Sequence, residues 1–300
     1  MSEKSKQFQR SIARNIFYCT RAIVKHTPYP IYKVISGFFI FISINLMRKR
    51  SKIMAENLDL AYGDAMSAEE KLELTKKCNK NLARGMLDLI YFIDRPDEVR
   101  KCIQIEGMEH LEKALEGGKG VIFLSGHFGI FIGLYLRMAL EDVGVNVIMR
   151  RVRDDVLEEY ISDFRKANGI NAIYNLPAMK CVTGCLKALR KNETLFILLD
   201  QHYGAEGNVT VDFFNRPAKT ATGPVVFHNR TNAPVLPIFA IRGEGDHHHR
   251  IIIEPPVDIV QHDDPDEMTR INVQNMSDII EDYVRKYPHE WSGWLHKRWK

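Results

Sequence analysis

Three hundred residues at 45% hydrophobic content can bury a sizeable core, and we expect one large domain preceded by an N-terminal helical arm. A net charge of +4, from 42 basic and 38 acidic residues, does not point to nucleic acid. The five cysteines (Cys19, Cys78, Cys102, Cys181, Cys185) are odd in number and lack a Cys-x-x-Cys spacing, which indicates neither a disulfide framework nor a zinc site and fits a reducing, cytoplasmic compartment.

The first fifty residues carry ten Lys and Arg against Glu3 alone, a pattern suited to an anionic lipid surface. Apolar positions at helical spacing over 6–25 predict an amphipathic helix, ended by Pro28 and Pro30. The run Val34 to Met47 is the most hydrophobic of the chain, yet its fourteen residues fall short of the roughly 20 a bilayer span needs. It could lie in the interface, span with distortion or line an acyl channel. Cations at both ends favour a monotopic anchor, so residues 1–50 are read as membrane-associating helices and 51–300 as the main domain. No small-residue cleavage site follows, and a cleavable signal peptide is not expected. Asn57 to Gly63 reads as a turn-rich connector. Ser67 with Glu70 forms a capping box that opens a helix to about Ile93.

A strand over 101–107 and a helix over 108–115 precede Gly117-Gly-Lys-Gly120. The continuous apolar run Val121 to Leu124 then reads as a strand buried on both faces, which implies a parallel sheet. His127 follows at a strand-to-helix junction, where α/β sheets place ligands; a buried histidine bonded to a carbonyl and a chemical role both fit that position. Gly126 and Gly129 would admit a substrate close to the backbone. Further strands over 145–149, 170–174 and 194–199 alternate with helices over 154–168 and 179–190, so the fold class is α/β, a mixed, mostly parallel central sheet flanked by helices. Arg150 and Asp200 end strands on the same edge as His127. Beyond them we expect a strand over 209–214, a hydroxyl-rich loop from Arg216 to Gly223, a helix to Arg230, a hairpin of 235–242 with 250–253 around a solvated tip that includes His247 to His249, and a last helix over 268–286.

The chain has neither a Gly-x-Ser-x-Gly elbow nor a phosphate loop. What remains is a histidine base with arginines for a phosphate or oxyanion. An imidazole that takes the proton from a hydroxyl attacking a thioester needs no protein nucleophile, and this describes acyl transfer. Gly126-His-Phe-Gly129, Asp200-Gln-His-Tyr-Gly204, Phe213-Phe-Asn-Arg-Pro-Ala218, Thr220-Ala-Thr-Gly223 and the closing Pro288-x-x-Trp291-x-x-Trp294 with Lys297-Arg-Trp299 together resemble the lauroyl/myristoyl acyltransferases of lipid A biosynthesis, in their order, over about residues 10 to 299. The phosphatidylinositol-mannoside acyltransferases of mycobacteria belong to the same superfamily. The resemblance implies a glycerolipid-acyltransferase-like fold and transfer of a fatty acyl chain from acyl carrier protein or coenzyme A to a hydroxyl of a membrane glycolipid, at the cytoplasmic face of the inner membrane. The thioester is a co-substrate; no cofactor and no metal are expected.

The family signature places Glu or Asp five positions after the histidine, and here that position is Ile132. Two readings follow. Either Asp200 replaces the missing acid, as an acid at similar spacing does in the mycobacterial relatives, or the chain has lost this catalysis and binds lipid or a partner instead. The resemblance assigns Arg165 to a donor or acceptor phosphate. Arg150, Gly129 and Gln201 are expected at the substrate, and Leu134 and Tyr135, in the apolar segment after His127, at the acyl chain.

Overall fold

The computed structural model describes residues 3–46, 48–245 and 247–299; Met47, which ends the apolar N-terminal run, lies outside them. The chain begins with helices α1 (Glu3–His26), α2 (Tyr29–Leu46), α3 (Arg48–Tyr62) and α4 (Ala68–Phe92). The capping box of α4 is formed, with Ser67 Oγ accepting from Glu70 N and Ser67 N donating to Glu70 Oε2. Next come α5 (Pro96–Cys102), β1 (Ile103–Glu106), α6 (Met108–Glu116), β2 (Val121–Ser125), α7 (Phe131–Ala139), β3 (Val145–Met149), α8 (Asp155–Ala167), β4 (Ile170–Tyr174), α9 (Ala178–Arg190) and β5 (Thr194–Leu198). The last third holds β6 (Asn208–Asp212), β7 (Pro217–Ala221), α10 (Gly223–Thr231), β8 (Val235–Arg242), β9 (His249–Ile253) and α11 (Pro265–Lys286), then a 3-10 turn over Ser292–Leu295.

Seven strands form one sheet in the order β1-β9-β8-β2-β5-β3-β4. The five from β8 to β4 run parallel, while β9 pairs antiparallel with β8 and carries β1 alongside it. β2 lies near the middle and is buried at every residue, because helices cover both faces and leave no side of the strand to solvent. Its side chains alternate between the two cores. Ile122 and Leu124 pack with α9, α10 and α11 through Leu189, Phe227 and Ile280, whereas Val121 and Phe123 pack with α4 and α7 through Phe92, Leu134 and Met138.

Three sequence expectations are overturned. Asn57 to Tyr62 is helical, within α3, because the Asn57 amide reaches across the fold to the carbonyls of Trp294 and His296 at 2.7 and 2.8 Å instead of closing a local turn. The stretch 217–221 is not a loop but β7, paired antiparallel with β6, and its proline stands at the strand's first residue where a missing N–H is tolerated. The hairpin tip is not solvated throughout, since His247 and His249 are buried.

α1 and α2 lie against α4 and bury Val24 and Tyr32. Arg14 forks onto Asp154 with two 2.9 Å bonds, and Arg21 bonds Asp94. Their outer faces are apolar, with Val34 75% and Phe38 63% exposed. Among the described residues no helix is long and apolar enough to cross a membrane.

Candidate active site

The register of the two central strands assembles the site. Ser125 at the end of β2 stands opposite Leu198 at the end of β5, and each chain runs two residues further before its functional side chain, His127 on one and Asp200 on the other. Leu199 N donates to Ser125 O at 2.9 Å, which holds the two exits together past the last ladder rung. Side chains 73 residues apart therefore meet: His127 Nδ1 lies 2.7 Å from Asp200 Oδ1.

Asp200 is 1% exposed and takes three donors. Oδ1 accepts from the His127 ring, while Oδ2 accepts from the His127 backbone N–H at 2.8 Å and from Trp291 Nε1 at 2.7 Å. Burial pushes its carboxyl pKa up, but the His127 charge and these hydrogen bonds prevail and bring it down to about 2. On the imidazole, burial works to lower the pKa, and the Asp200 charge and hydrogen bond overcome it, holding the ring above its ordinary 6.5. An ionised carboxylate at Nδ1 selects the tautomer with the proton there and leaves Nε2 as an acceptor. Gln201 Nε2 stands 3.3 Å from that atom, and the Phe131 and His296 rings are centred 4.9 and 6.3 Å from the imidazole.

The C-terminal segment locks this turn in place. Ser292 donates to the His127 carbonyl from both N and Oγ at 2.9 Å, and Gly129 N donates to Glu290 O at 2.9 Å. Gly129 has φ +45°, and a Cβ there would come within 2.6 Å of the Ala240 carbonyl of β8. Its freedom thus admits the neighbouring strand. Below Gln201 the buried Arg298 donates to the carbonyls of Gln201 and Lys219 and to Thr220 Oγ1, at 3.1, 3.0 and 2.7 Å.

Other expected site residues fall elsewhere. Arg150 leaves the end of β3 exposed and makes no hydrogen bond among the described residues. Arg165 bonds Glu158 at 3.2 Å; that buried acid also accepts from Val152 N at 2.5 Å and Tyr174 Oη at 2.6 Å, so the arginine braces the loop after β3 and does not touch the dyad. Leu134 and Tyr135 lie in the core of α7. The Tyr135 ring meets Phe196 of β5, and its buried hydroxyl has no partner among the described residues. Ile132, where the family signature has an acid, is 41% exposed. Trp291 and Arg298 were visible in the sequence as parts of a motif, but their roles as Asp200 donor and Gln201 support were not. Phe131 belongs to the apolar segment after His127 expected at the acyl chain, and nothing in spacing marks His296.

The family described as bacterial lipid A biosynthesis acyltransferase matches residues 4–300. The chain belongs to that family. A lipid A biosynthesis lauroyltransferase of Escherichia coli (strain K12) is 24% identical to this acyltransferase over 282 residues, 93% of this chain and 88% of that protein. A lipid A biosynthesis palmitoleoyltransferase of the same organism is 23% identical over 278 residues, covering 91% and 86% of the two chains. A phosphatidylinositol mannoside acyltransferase of Mycobacterium tuberculosis is 23% identical over 137 residues, 44% of this acyltransferase and 42% of that protein. Among solved structures, the 1-acyl-sn-glycerophosphate acyltransferase of Thermotoga maritima aligns at a TM-score of 0.39 and 13% identity, over 92% of this chain and 98% of that one.

Proposed function

We propose that this acyltransferase moves a fatty acyl chain from a thioester, acyl carrier protein or coenzyme A, to a hydroxyl of a lipid A precursor or similar glycolipid, with His127 as general base and Asp200 as its positioning acid. The observation that carries this reading is the 2.7 Å contact between His127 Nδ1 and Asp200 Oδ1, which supplies from β5 the carboxylate that Ile132 does not. In the reaction the acceptor hydroxyl gives its proton to His127 Nε2 as its oxygen attacks the thioester carbonyl. The tetrahedral adduct then collapses, the C–S bond breaks, and the thiolate takes the proton back from the imidazolium, leaving an ester and a free thiol. Asp200 keeps the ring oriented and stabilises its charged form.

The reading extends to the surroundings. Residues 1–50 attach the enzyme to the cytoplasmic face of the inner membrane through the exposed apolar faces of α1 and α2, and 51–300 form the catalytic domain. Arg150 meets an anionic group of a substrate, Gln201 lies beside the reacting proton, and Arg165 acts through the loop after β3 that it braces. Tyr135 and Leu134 set the floor against which the acyl chain ends.

The test is turnover by detergent-purified protein supplied with acyl carrier protein and coenzyme A thioesters and lipid acceptors. His127→Ala is expected to lose roughly 10²- to 10⁴-fold. Turnover equal to the parent's would remove His127 from the chemistry.

A further inference from the structure

The sheet edge that carries the dyad continues past it into two exposed loops. β3 runs parallel to β5 and β4 parallel to β3, so all three leave the sheet at the same end. Val147 stands opposite Phe196, which puts Met149 at the end of β3 level with Leu198 at the end of β5. At a strand spacing of about 4.8 Å, β3 exits roughly 5 Å and β4 roughly 10 Å along the edge from β5 and its Asp200. Met149 and Tyr174 are partners in the last rung between β3 and β4, and Asn175 N then donates to Met149 O at 3.0 Å. The segments that follow, from Arg150 and from Leu176, therefore start side by side.

Both segments present large aliphatic side chains to solvent. Every residue from Leu176 to Lys180 is exposed, with Leu176 at 73% and Met179 at 77%, and Val156 is 54% exposed. Met179 lies in the first turn of α9 and Val156 in the first turn of α8, at the helix ends nearest this edge. Exposed cations are interleaved with them: Arg150, Arg151 and Arg153 before α8, and Lys180 after Met179. Of the acids over 150–156 and 175–180, Asp154 is forked by Arg14 of α1 and Asp155 pairs with Arg151 at 3.0 Å. Arg150, Arg153 and Lys180 thus give the rim a net positive charge.

Aliphatic side chains held in water favour any hydrocarbon that covers them, and cations set among them complement an anionic headgroup layer. An acidic protein would answer the cations but would need an apolar pocket for each of Leu176 and Met179. A bilayer answers both at once, with hydrocarbon at the aliphatic tips and headgroups at the ends of long cationic stems.

We propose that this rim, Arg150 to Val156 with Leu176 to Lys180, is a second membrane contact, separate from the N-terminal arm, which seats the sheet edge bearing His127 and Asp200 on an anionic bilayer with Leu176 and Met179 below the headgroups. The contact rests on the two loops alone; that it brings a glycolipid hydroxyl to His127 rests on the acyltransferase reading.

Insertion is read by fluorescence of full-length Met179→Trp, which the arm's own affinity for membranes does not mask. The parent supplies the background, since Trp291 and Trp294 are buried. On vesicles of phosphatidylcholine and phosphatidylglycerol, the added emission shifts to the blue and is quenched when the acyl chains carry bromine, while the parent's emission is unchanged. Leu176→Asp and Met179→Asp, at exposed positions and with melting curves checked, each weaken vesicle binding about tenfold. Arg153→Gln and Lys180→Gln each weaken it about fivefold on these anionic vesicles and leave binding to pure phosphatidylcholine unchanged. An indole at position 179 that neither shifts nor is quenched in the presence of the vesicles overturns the contact, as does vesicle affinity untouched by all four substitutions. A shift produced by acyl carrier protein and not by vesicles overturns it in favour of an acidic protein partner. Because quenching needs no turnover, an inactive parent with a quenched indole refutes the chemistry and not this contact, whereas an active parent with an unquenched indole refutes the contact and not the chemistry.

Discussion

Asp200→Asn is nearly isosteric, yet the hydrogen bonds around this carboxylate predict a specific failure. Two fixed donors, the His127 backbone N–H and Trp291 Nε1, converge on Oδ2 at 2.8 and 2.7 Å. An asparagine must turn its oxygen to them, because an NH₂ placed there would face two donors and leave buried groups unpaired. Its NH₂ then occupies the Oδ1 position, 2.7 Å from His127 Nδ1. The ring must accept at Nδ1, so its proton moves to Nε2 and the base no longer has a lone pair for the acceptor hydroxyl. The comparable change of tautomer in serine proteases costs about 10⁴-fold, and we expect a loss of roughly 10³- to 10⁴-fold here, or ~4 to 5 kcal/mol of barrier. The pH profile provides a second readout. In the parent, Asp200 holds the His127 pKa above 6.5 against burial, and base catalysis rises as pH climbs through that value. In the variant burial acts alone, so the midpoint of the residual activity moves below 6.5. Single-turnover acyl transfer at several pH values, beside thermal melting of both proteins, decides the matter. A folded Asp200→Asn protein that keeps parental turnover and an unmoved acid limb would refute the tautomer argument.

Other outcomes follow from the same geometry. Because the Asp200 carboxyl falls from 3.8 to about 2 on folding, it contributes stability that is present above pH 4 and lost as pH falls through 2; the difference is on the order of 2 kcal/mol, read as a shallower acid limb of the melting temperature in Asp200→Asn. Gly129→Ala forces a Cβ to 2.6 Å from the Ala240 carbonyl at φ +45°, and is expected to destabilise by roughly 2 kcal/mol or more in denaturant titration. Tyr135→Phe removes a buried hydroxyl that has no partner among the described residues, so stability holds or rises by ~1 kcal/mol, and a fall of that size would reveal a partner. Ile132→Glu places a carboxylate at a 41% exposed position and gains no activity over an active parent; turnover that appears only in the variant would show the native chain to be a degenerate enzyme.

The alternation of buried strands and helices was legible because continuous apolar runs such as Val121 to Leu124 have one stable placement, between two helical layers. His127 and Asp200 were legible as strand-end residues. What brought them together, the Ser125–Leu198 register, is a pairing of distant segments that no local pattern encodes. Asn57 misled because an amide reads locally as a turn former, while here its partners are 237 and 239 residues away. His247 and His249 misled in the same way: a histidine run beside glycine and aspartate reads as solvated, and only the fold reveals that Asp88 of α4 waits opposite them. The indole of Trp291 is the clearest case, an aromatic whose position in a motif was plain and whose hydrogen bond to Asp200 was not.

The contacts of Trp291 and Ser292 have a consequence for synthesis. The histidine and its acid stand 73 residues apart, but the indole that completes the carboxylate's hydrogen bonds follows the acid by 91 residues, and the serine that fastens the histidine's carbonyl follows the histidine by 165. A nascent chain in which residues 291 and 292 have not yet emerged therefore lacks these bonds to the carboxylate and to the histidine's carbonyl. The dyad gains its full set of hydrogen bonds only once residues 291 and 292 have joined the fold.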